Sequence, residues 1–236
     1  MATRFPGFPE VGVQFLRGLS RHNRREWFQP RKEIFERDVK KPMEALVEAL
    51  NADFARYAPD YITDPNKAVY RIYRDTRFSH DKTPYKTHIA ASFWRRGFQK
   101  HVSAGYYFSV SPKEIEVAGG IYMPGPEQLL AIRRKLASDH EAFRKLLKAR
   151  VLRSTMGDLQ GDSLSRVPKG FPADHAAADL IRRKNWIFYV LLDGKLSTSP
   201  KLLDEVTRRF RALAPCVEYL NQALAGGRAA AAGMML

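Results

Sequence analysis

The spacing of apolar residues changes abruptly at Val69, and this change limits the chain to folds that combine helices with a sheet. Before it, apolar side chains recur at helical spacing from Trp27 to about Tyr57. After it, segments rich in Val, Ile, Tyr, Thr and Phe indicate strands. Helical spacing returns from Pro126, interrupted by the apolar segment "NWIFYVLL". This order predicts an α+β fold, with a mostly antiparallel sheet packed against helices from both ends of the chain.

Local signals predict where these elements begin and end. A first helix is expected over residues 10–19. Asn23 followed by Glu26 has capping-box spacing and predicts a second helix from Arg24, which Pro30 and Pro42 bend or split. Strands are expected over residues 69–78, 85–94 and 185–192, with a hairpin formed by "GYYFSVS" and "EIEVAGGIYM". Later helices are expected to begin at Pro126, to restart at Ser138 and to follow Ser199-Pro200.

The length of the chain and its lack of a clear linker or repeat predict one domain. The 236 residues are enough for one large domain or two small ones. No internal repeat and no convincing linker divides them, so we expect a single α+β domain over residues 1–224. The low-complexity segment "AGGRAAAAGMML", residues 225–236, is expected to be a disordered tail.

Cysteine content and hydropathy predict a cytoplasmic protein that does not associate with membranes. Cys216 is the single cysteine, so no intrachain disulfide can form. The longest uninterrupted apolar run, residues 186–192, is far shorter than the ~20 residues that span a bilayer. The first sixteen residues, "MATRFPGFPEVGVQFL", are interrupted by prolines and charges and do not read as a secretory signal.

Positive charge is concentrated in one part of the chain. The formal net charge is +15, which favours polyanions or phosphorylated molecules as partners. Residues 71–100 hold eight basic residues and only two acidic ones, Asp75 and Asp81. If the net charge of the chain were spread evenly, this segment would carry a net charge of only about +2. The eight are Arg71, Arg74, Arg77, Lys82, Lys86, Arg95, Arg96 and Lys100.

The centre of this excess is the segment "RIYRDTRFSHDKTPYKTH", residues 71–88. Side chains alternate along a strand, so pairing the two predicted strands can bring Arg71, Arg77, Lys86 and His88 together beside Tyr73. Guanidinium groups bind oxyanions bidentately and a lysine adds a point charge. In the connection, Asp81 is placed to form an Asx turn. We therefore predict a ligand-binding set of Arg71, Tyr73, Arg74, Asp75, Arg77, Lys82, Tyr85, Lys86 and His88.

His88 is the one candidate acid or base in this segment, because an imidazole titrates near neutral pH. No other catalytic residue is assigned, and catalysis and simple binding both remain open. The remaining histidines lack the H-E-x-x-H spacing of a metal site. Phosphate-binding loops, dinucleotide glycine triplets and the G-x-S-x-G elbow are also missing. We accordingly predict no metal and no cofactor.

Four segments together resemble the family named domain of unknown function 2461. They are "NRREWF", the 71–88 segment, "GYYFSVSP" and "VPKGFP", which occur in this order and at similar spacings. The resemblance covers about residues 5–224. It implies a single intracellular α+β domain found in bacteria and fungi, and it supplies no reaction and no catalytic residues. In such proteins the residue types at Arg71, Arg74, Asp75, Arg77, Asp81, Lys82, Pro84, Tyr85 and Lys86 recur together.

Three functional interpretations follow from these observations. The first is a pocket for a small phosphorylated or carboxylated ligand, in which Arg71, Arg77 and Lys86 hold the anion and Tyr73 orients it. The second is a nucleic-acid-binding module, in which the same basic surface follows a phosphate backbone. The third is a structural or interaction domain, in which the charges pair with one another. The oligomeric state is open in all three.

Overall fold

The computed structural model describes residues 5–98 and 102–233. The chain divides into two compact units, and we describe each by itself. Unit 1 comprises the residues up to Phe93, Tyr107–Val117 and Leu191–Thr207. Unit 2 comprises Trp94–Tyr106, Ala118–Val190 and the residues from Arg208 onward.

The N-terminal helices of unit 1 follow the predicted order but are more broken. Helix α1 spans Glu10–Arg21. Short segments follow: α2 (Arg25–Phe28), a 3-10 turn (Gln29–Arg31), α3 (Lys32–Ile34), a π-helical segment (Phe35–Lys40) and α4 (Lys41–Tyr57). Pro30 lies in the 3-10 turn and Pro42 in the first turn of α4. The prediction that these prolines bend or split the helix is confirmed at Pro30, where the helix breaks at Arg31, whereas at Pro42 the backbone stays helical and changes from π-helix to α-helix.

The sheet has four antiparallel strands in the order β1-β2-β3-β4. They are β1 (Ile89–Trp94), β2 (Gly105–Val110), β3 (Glu114–Ile121) and β4 (Trp186–Asp193). Along β3 every second residue is buried, as expected for a sheet with one covered face. In unit 1 the ring of Phe54 from α4 lies 5.0 Å from that of Phe93 in β1. In unit 2 the ring of Phe210 lies 5.0 Å from that of Tyr106 in β2.

The remaining helices complete the predicted α+β class. They are α5 (Pro65–Ala68), α6 (Pro126–Leu147), α7 (Arg150–Met156), α8 (Ala178–Ile181) and α9 (Leu202–Gly233). Helix α6 is interrupted by non-helical backbone at Asp139, next to the restart predicted at Ser138. Helices from both ends of the chain thus pack on an antiparallel sheet, as predicted. In the part of the chain that the structure describes, no helix is both long and apolar enough to cross a membrane.

The predicted strand over residues 69–78 is wrong. Val69 and Tyr73 each form one isolated antiparallel bridge, to Ala91 and Tyr85, and residues 75–84 form a loop. Strand propensity fails here because the loop's charged side chains bond to one another and to its backbone. The single domain over 1–224 and the disordered tail over 225–236 stay predictions. The backbone of α9 continues to Gly233, and residues 234–236 lie outside the described residues.

Gly120 allows β3 to lie close to β4 within unit 2. Its φ of 114° lies in the region that side chains with a Cβ rarely adopt. A Cβ at this position would also lie 2.1 Å from the carbonyl oxygen of Trp186, well inside van der Waals contact. Both the backbone conformation and the packing therefore require glycine, and close strand packing explains the residue without a ligand.

We expect Gly120→Ala to lower the free energy of unfolding by about 3 kcal/mol, because strain and a backbone clash add together. The measurement is urea unfolding. Gly170→Ala is the matched control, since Gly170 has a φ of 92° but nothing within 4 Å of the added Cβ. It should cost about 1 kcal/mol. Equal losses in the two variants would contradict the role of the Trp186 carbonyl.

Candidate functional site

The segment over residues 69–91, here called the motif hairpin, is an irregular antiparallel pair in unit 1. The Arg74 N–H donates to the Pro84 carbonyl at 2.9 Å and the Lys86 N–H to the Ile72 carbonyl at 2.8 Å. Nearer the sheet, the Tyr70 N–H donates to the Ala90 carbonyl at 2.9 Å. The two chain segments therefore pair at both ends of the hairpin.

The hairpin contains a wide bulge between these hydrogen bonds. From the Ile72–Lys86 pair to the Tyr70–Ala90 pair, one chain has a single intervening residue, Arg71, and the other has three, residues 87–89. A bulge of this kind bends the longer chain and redirects its side chains. His88 lies in this bulge, directly across from Arg71.

Tyr85 is held in the core by residues from the "NRREWF" segment. The side-chain amide of Asn23 accepts from the Tyr85 N–H at 3.0 Å and donates to its carbonyl at 2.8 Å. The Phe28 ring stacks on the Tyr85 ring with centroids 4.2 Å apart, and Tyr85 is 1% exposed. The predicted capping role of Asn23 is wrong: α2 begins at Arg25 without a side-chain cap, because the Asn23 amide bonds to Tyr85 instead.

Residues 75–83, here called the motif loop, bond mainly to one another. The Arg77 guanidinium donates to both oxygens of Asp75, at 3.0 and 2.8 Å. These hydrogen bonds, together with that from the Arg77 N–H, lower the pKa of the Asp75 carboxyl to about 2. The Lys82 ammonium donates to the Thr76 carbonyl at 2.9 Å. Such pairs define the shape of an exposed loop more than they stabilise the fold.

The predicted Asx turn at Asp81 is confirmed. The Asp81 carboxylate accepts from the Thr83 N–H at 2.9 Å. The Arg74 guanidinium donates to the same carboxylate and to the Thr83 hydroxyl. These contacts, with the Thr83 N–H first in importance, lower the pKa of Asp81 to about 2. Arg74 is thereby bound within the loop and not turned toward the bulge.

Arg71 and His88 lie in the bulge and Lys86 lies at its edge; these three residues are here called the cation cluster. Burial lowers the pKa of Lys86, and the charge of Arg71 lowers it further. Burial likewise lowers the pKa of His88, with a second contribution from Lys86. Of the carboxylates that the structure describes, none forms an ion pair with any of the three. Asp75 senses the Arg71 charge only weakly.

Two tyrosines continue from the cation cluster across the sheet. Together with the cluster they form what is here called the polar surface. The Lys86 ammonium lies over the Tyr70 ring, 5.1 Å from its centroid. The Tyr70 and Tyr107 rings, here called the tyrosine pair, have centroids 6.3 Å apart. Burial raises the pKa of both phenols, that of Tyr107 to about 12. Both are therefore neutral near pH 7, able to donate and to accept hydrogen bonds.

The nine predicted ligand residues separate into three groups. Arg71, Lys86 and His88, three of the four residues expected together beside Tyr73, form the cation cluster at a bulge and not through regular strand pairing. Arg77, expected beside them, is instead bound to Asp75 in the motif loop, which also holds Arg74 and Lys82. Tyr73 and Tyr85 belong to an aromatic group with Phe28. Lys100, counted in the basic segment, lies outside the described residues.

A search for metal ligands gave no candidate centre. Within residues 5–98 and 102–233, no three His, Cys, Asp or Glu side chains are grouped so as to hold a metal ion. The thiol of Cys216 is buried, and burial raises its pKa to about 12. A thiol with so high a pKa is a poor nucleophile and ligand near neutral pH, since the thiolate is the reactive form.

A family model described as "Conserved hypothetical protein (DUF2461)" matches residues 12–219. The chain belongs to this family. The matched range contains all four segments that carried the resemblance, which is thereby confirmed. No curated protein and no solved structure matched the chain. In this DUF2461 member, "NRREWF" and the 71–88 segment meet at Tyr85, and "GYYFSVSP" supplies Tyr107 to the polar surface.

Sequence reasoning missed two residues of this surface and one supporting residue. Tyr70 precedes the 71–88 segment, and Tyr107 lies in the predicted hairpin segment "GYYFSVS", to which no ligand role was assigned. Asn23 was interpreted as a cap because its spacing to Glu26 satisfies the local pattern. The signal for Tyr107 was present, since it lies in a segment shared with the family. Nothing local in the sequence indicates that Asn23 bonds to a residue 62 positions away.

We expect Asn23→Ala to lower the free energy of unfolding by about 2 kcal/mol, because the Tyr85 backbone N–H and carbonyl both lose a partner. Thermal unfolding followed by circular dichroism measures this. Asn66→Ala, at an exposed position in the first turn of α5 where the described structure gives the Asn66 side chain no hydrogen bond, should leave the midpoint nearly unchanged. A midpoint for Asn23→Ala equal to that of Asn66→Ala would show that the amide does not hold the hairpin.

Proposed function

We propose that this protein binds a small phosphorylated or carboxylated molecule at the cation cluster. Arg71 and Lys86 hold the anionic group in this proposal, and the neutral imidazole of His88 offers a hydrogen-bond donor beside them. The tyrosine pair forms the adjoining wall. The motif loop supports the site by its fixed shape, since its own charges are already paired.

One observation carries this proposal. Two half-buried basic side chains, Lys86 and His88, adjoin the exposed Arg71 at the bulge, and burial together with the neighbouring positive charge lowers the pKa of both. Bringing like charges together without a carboxylate costs free energy that a bound anion would recover. A guanidinium and an ammonium are also the groups that most often recognise phosphate and carboxylate.

His88 is the residue through which such a site can carry out chemistry. Its lowered pKa keeps the imidazole neutral near pH 7, so it can accept a proton from a bound molecule. Binding is the function proposed here, and proton transfer by His88 is the reaction to look for once a ligand is known. The cytoplasm, where phosphorylated metabolites are abundant, is the proposed location.

A second candidate function rests on the tip of the motif loop. Phe78 is 94% exposed there, and the Arg77 guanidinium lies 5.7 Å from its ring centroid. An exposed aromatic ring next to an arginine can stack on a nucleic-acid base and contact a phosphate. The +15 net charge suits the same partner. Nucleic acid is therefore included in the binding experiment.

We expect phosphate or a sugar phosphate at ~100 times its dissociation constant to raise the stability of wild type by about 2.7 kcal/mol. A thermal-shift screen measures this as a raised unfolding midpoint. Lys86→Met and Arg71→Gln should abolish the shift, because each removes a charge that contacts the anion. Lys82→Met and Arg77→Gln are matched controls that remove the same charges from paired positions in the motif loop, and they should retain it.

Two results would contradict this assignment. One is a phosphate shift that survives in both Lys86→Met and Arg71→Gln. The other is the absence of a shift with phosphate, sugar phosphates, nucleotides and carboxylates in wild type. A shift only with short RNA or DNA that fades with salt and is lost in Phe78→Ala would favour the second candidate function.

The pKa of His88 also predicts how stability depends on pH. Its folded value lies below the unfolded value near 6.5, so its contribution is complete above that pH. It is lost as the pH falls through the folded pKa. Between about pH 7.5 and about pH 5, the unfolding midpoint should fall more in wild type than in His88→Gln. Saturating phosphate should reduce the fall, because an anion favours the imidazolium. Equal pH profiles for the two proteins would contradict this prediction.

A further inference from the structure

The tyrosine pair connects the cation cluster to a carboxylate on the same face of the sheet. Tyr107 lies on β2, and Glu116 lies on the neighbouring strand β3. Ser111 pairs with Glu114 where the two strands meet, and side chains alternate along a strand, so Tyr107 and Glu116 lie on the same half-buried face. The Glu116 charge contributes to the raised pKa of the Tyr107 phenol, after burial. All of these residues belong to unit 1.

Glu116 has no basic partner in the described structure. It is half-buried and makes no ion pair or hydrogen bond with a described residue, and burial and the nearby Glu114 raise its pKa. Glu114, two residues earlier on the same face, is better compensated because it pairs with Lys113 at 3.8 Å. A partly buried carboxylate without a donor is costly, and this one faces a polar surface that leads to unpaired cations.

Near the Tyr70 phenol lies a buried hydroxyl without a hydrogen-bond partner among the described residues. Ser92 is 9% exposed, and no described residue forms a hydrogen bond with its Oγ. It lies close enough to the Tyr70 phenol to moderate the raised pKa of that group, although the pair misses hydrogen-bond geometry. Buried polar side chains normally find partners.

The charges on this surface are therefore separated and uncompensated. Arg71, Lys86 and His88 lie at one end, and Glu116 lies at the other. The tyrosine pair keeps them apart, so the opposite charges do not neutralise each other as an ion pair would. A protein that needed only stability would gain by pairing or removing these groups. A ligand with two chemically different ends would satisfy both.

We propose that the ligand is bipolar, with a phosphate or carboxylate at the cation cluster and a hydroxyl or ammonium donor at Glu116, spanning the tyrosine pair. This inference rests on the anion site proposed above and defines its ligand class. The required chemistry at the second end is a hydrogen-bond donor, which an amino alcohol phosphate and a polyol phosphate both provide. The neutral phenols of Tyr70 and Tyr107 can bond to the atoms between the ends.

Titration calorimetry of the full chain with three probes tests this inference. The probes are inorganic phosphate, 2-aminoethyl phosphate and glycerol phosphate. Wild type should bind at least one of the two bipolar probes about tenfold or more tightly than phosphate, because a hydrogen bond to a charged group is worth that much. Preference for 2-aminoethyl phosphate identifies an ammonium as the second group, and preference for glycerol phosphate identifies a hydroxyl.

Two isosteric variants distinguish the role of Glu116 from general charge effects. Glu116→Gln should lose the preference for the bipolar probes and keep its affinity for inorganic phosphate. Glu114→Gln makes the same change two residues away on the same face and should keep both. Because glutamine matches glutamate in shape, the unfolding midpoint without ligand shows directly that each variant is folded.

The binding results distinguish failure of the bipolar-ligand proposal from failure of the anion-site proposal. Equal affinity of wild type for all three probes, or an undiminished preference in Glu116→Gln, would overturn the bipolar ligand and leave the anion site intact. Undetectable binding of every probe to folded wild type would overturn the anion site and the inference that rests on it.

Discussion

The backbone of Tyr85 is held by the side chain of Asn23, and the geometry of the candidate site depends on this contact. Two hydrogen bonds from one amide replace the strand partner that Tyr85 lacks on that side. The Phe28 ring stacks on the Tyr85 ring, and the two hydrogen bonds are partly buried, which strengthens hydrogen bonds in a protein interior. Beyond Tyr85, three residues, 87–89, lie between the Ile72–Lys86 pair and the Tyr70–Ala90 pair, opposite the single residue Arg71. The bulge that carries His88 is the result.

Charge in the motif hairpin is divided between two uses. The motif loop pairs Arg74 and Arg77 with its own aspartates, so these residues shape an exposed turn. Arg71 and Lys86 remain without such a partner among the described residues and lie where burial and mutual repulsion lower the Lys86 pKa. The same segment therefore supports both interpretations of its charges. In the motif loop the charges pair with one another, whereas at the bulge they form an electropositive site.

Family membership and fold were predictable because they depend on patterns that the linear chain contains. The change of spacing at Val69 and the returns to helical spacing reflect which faces are buried, and burial follows from residue type. The bounds of α1, β2, β3 and β4 follow from the same periodicity. The strand expected over residues 69–78 was wrong because side-chain bonds within the motif loop, such as those of Asp81, outweighed the β-propensity of its aromatic and branched residues.

The sequence by itself determined that the protein is α+β, that its positive charge is concentrated around residues 71–88, and that Arg71, Lys86 and His88 are candidates for one site. These conclusions need only composition, order and the two-residue period of strands. The tertiary structure alone decided that Arg77 turns to Asp75, that Tyr85 is buried, and that Tyr70 and Tyr107 adjoin the cluster. Strand register, bulges and contacts between distant segments set these outcomes. Different registers, bulges and long-range contacts fit the same local sequence pattern, so the differences in their free energies decide which one forms.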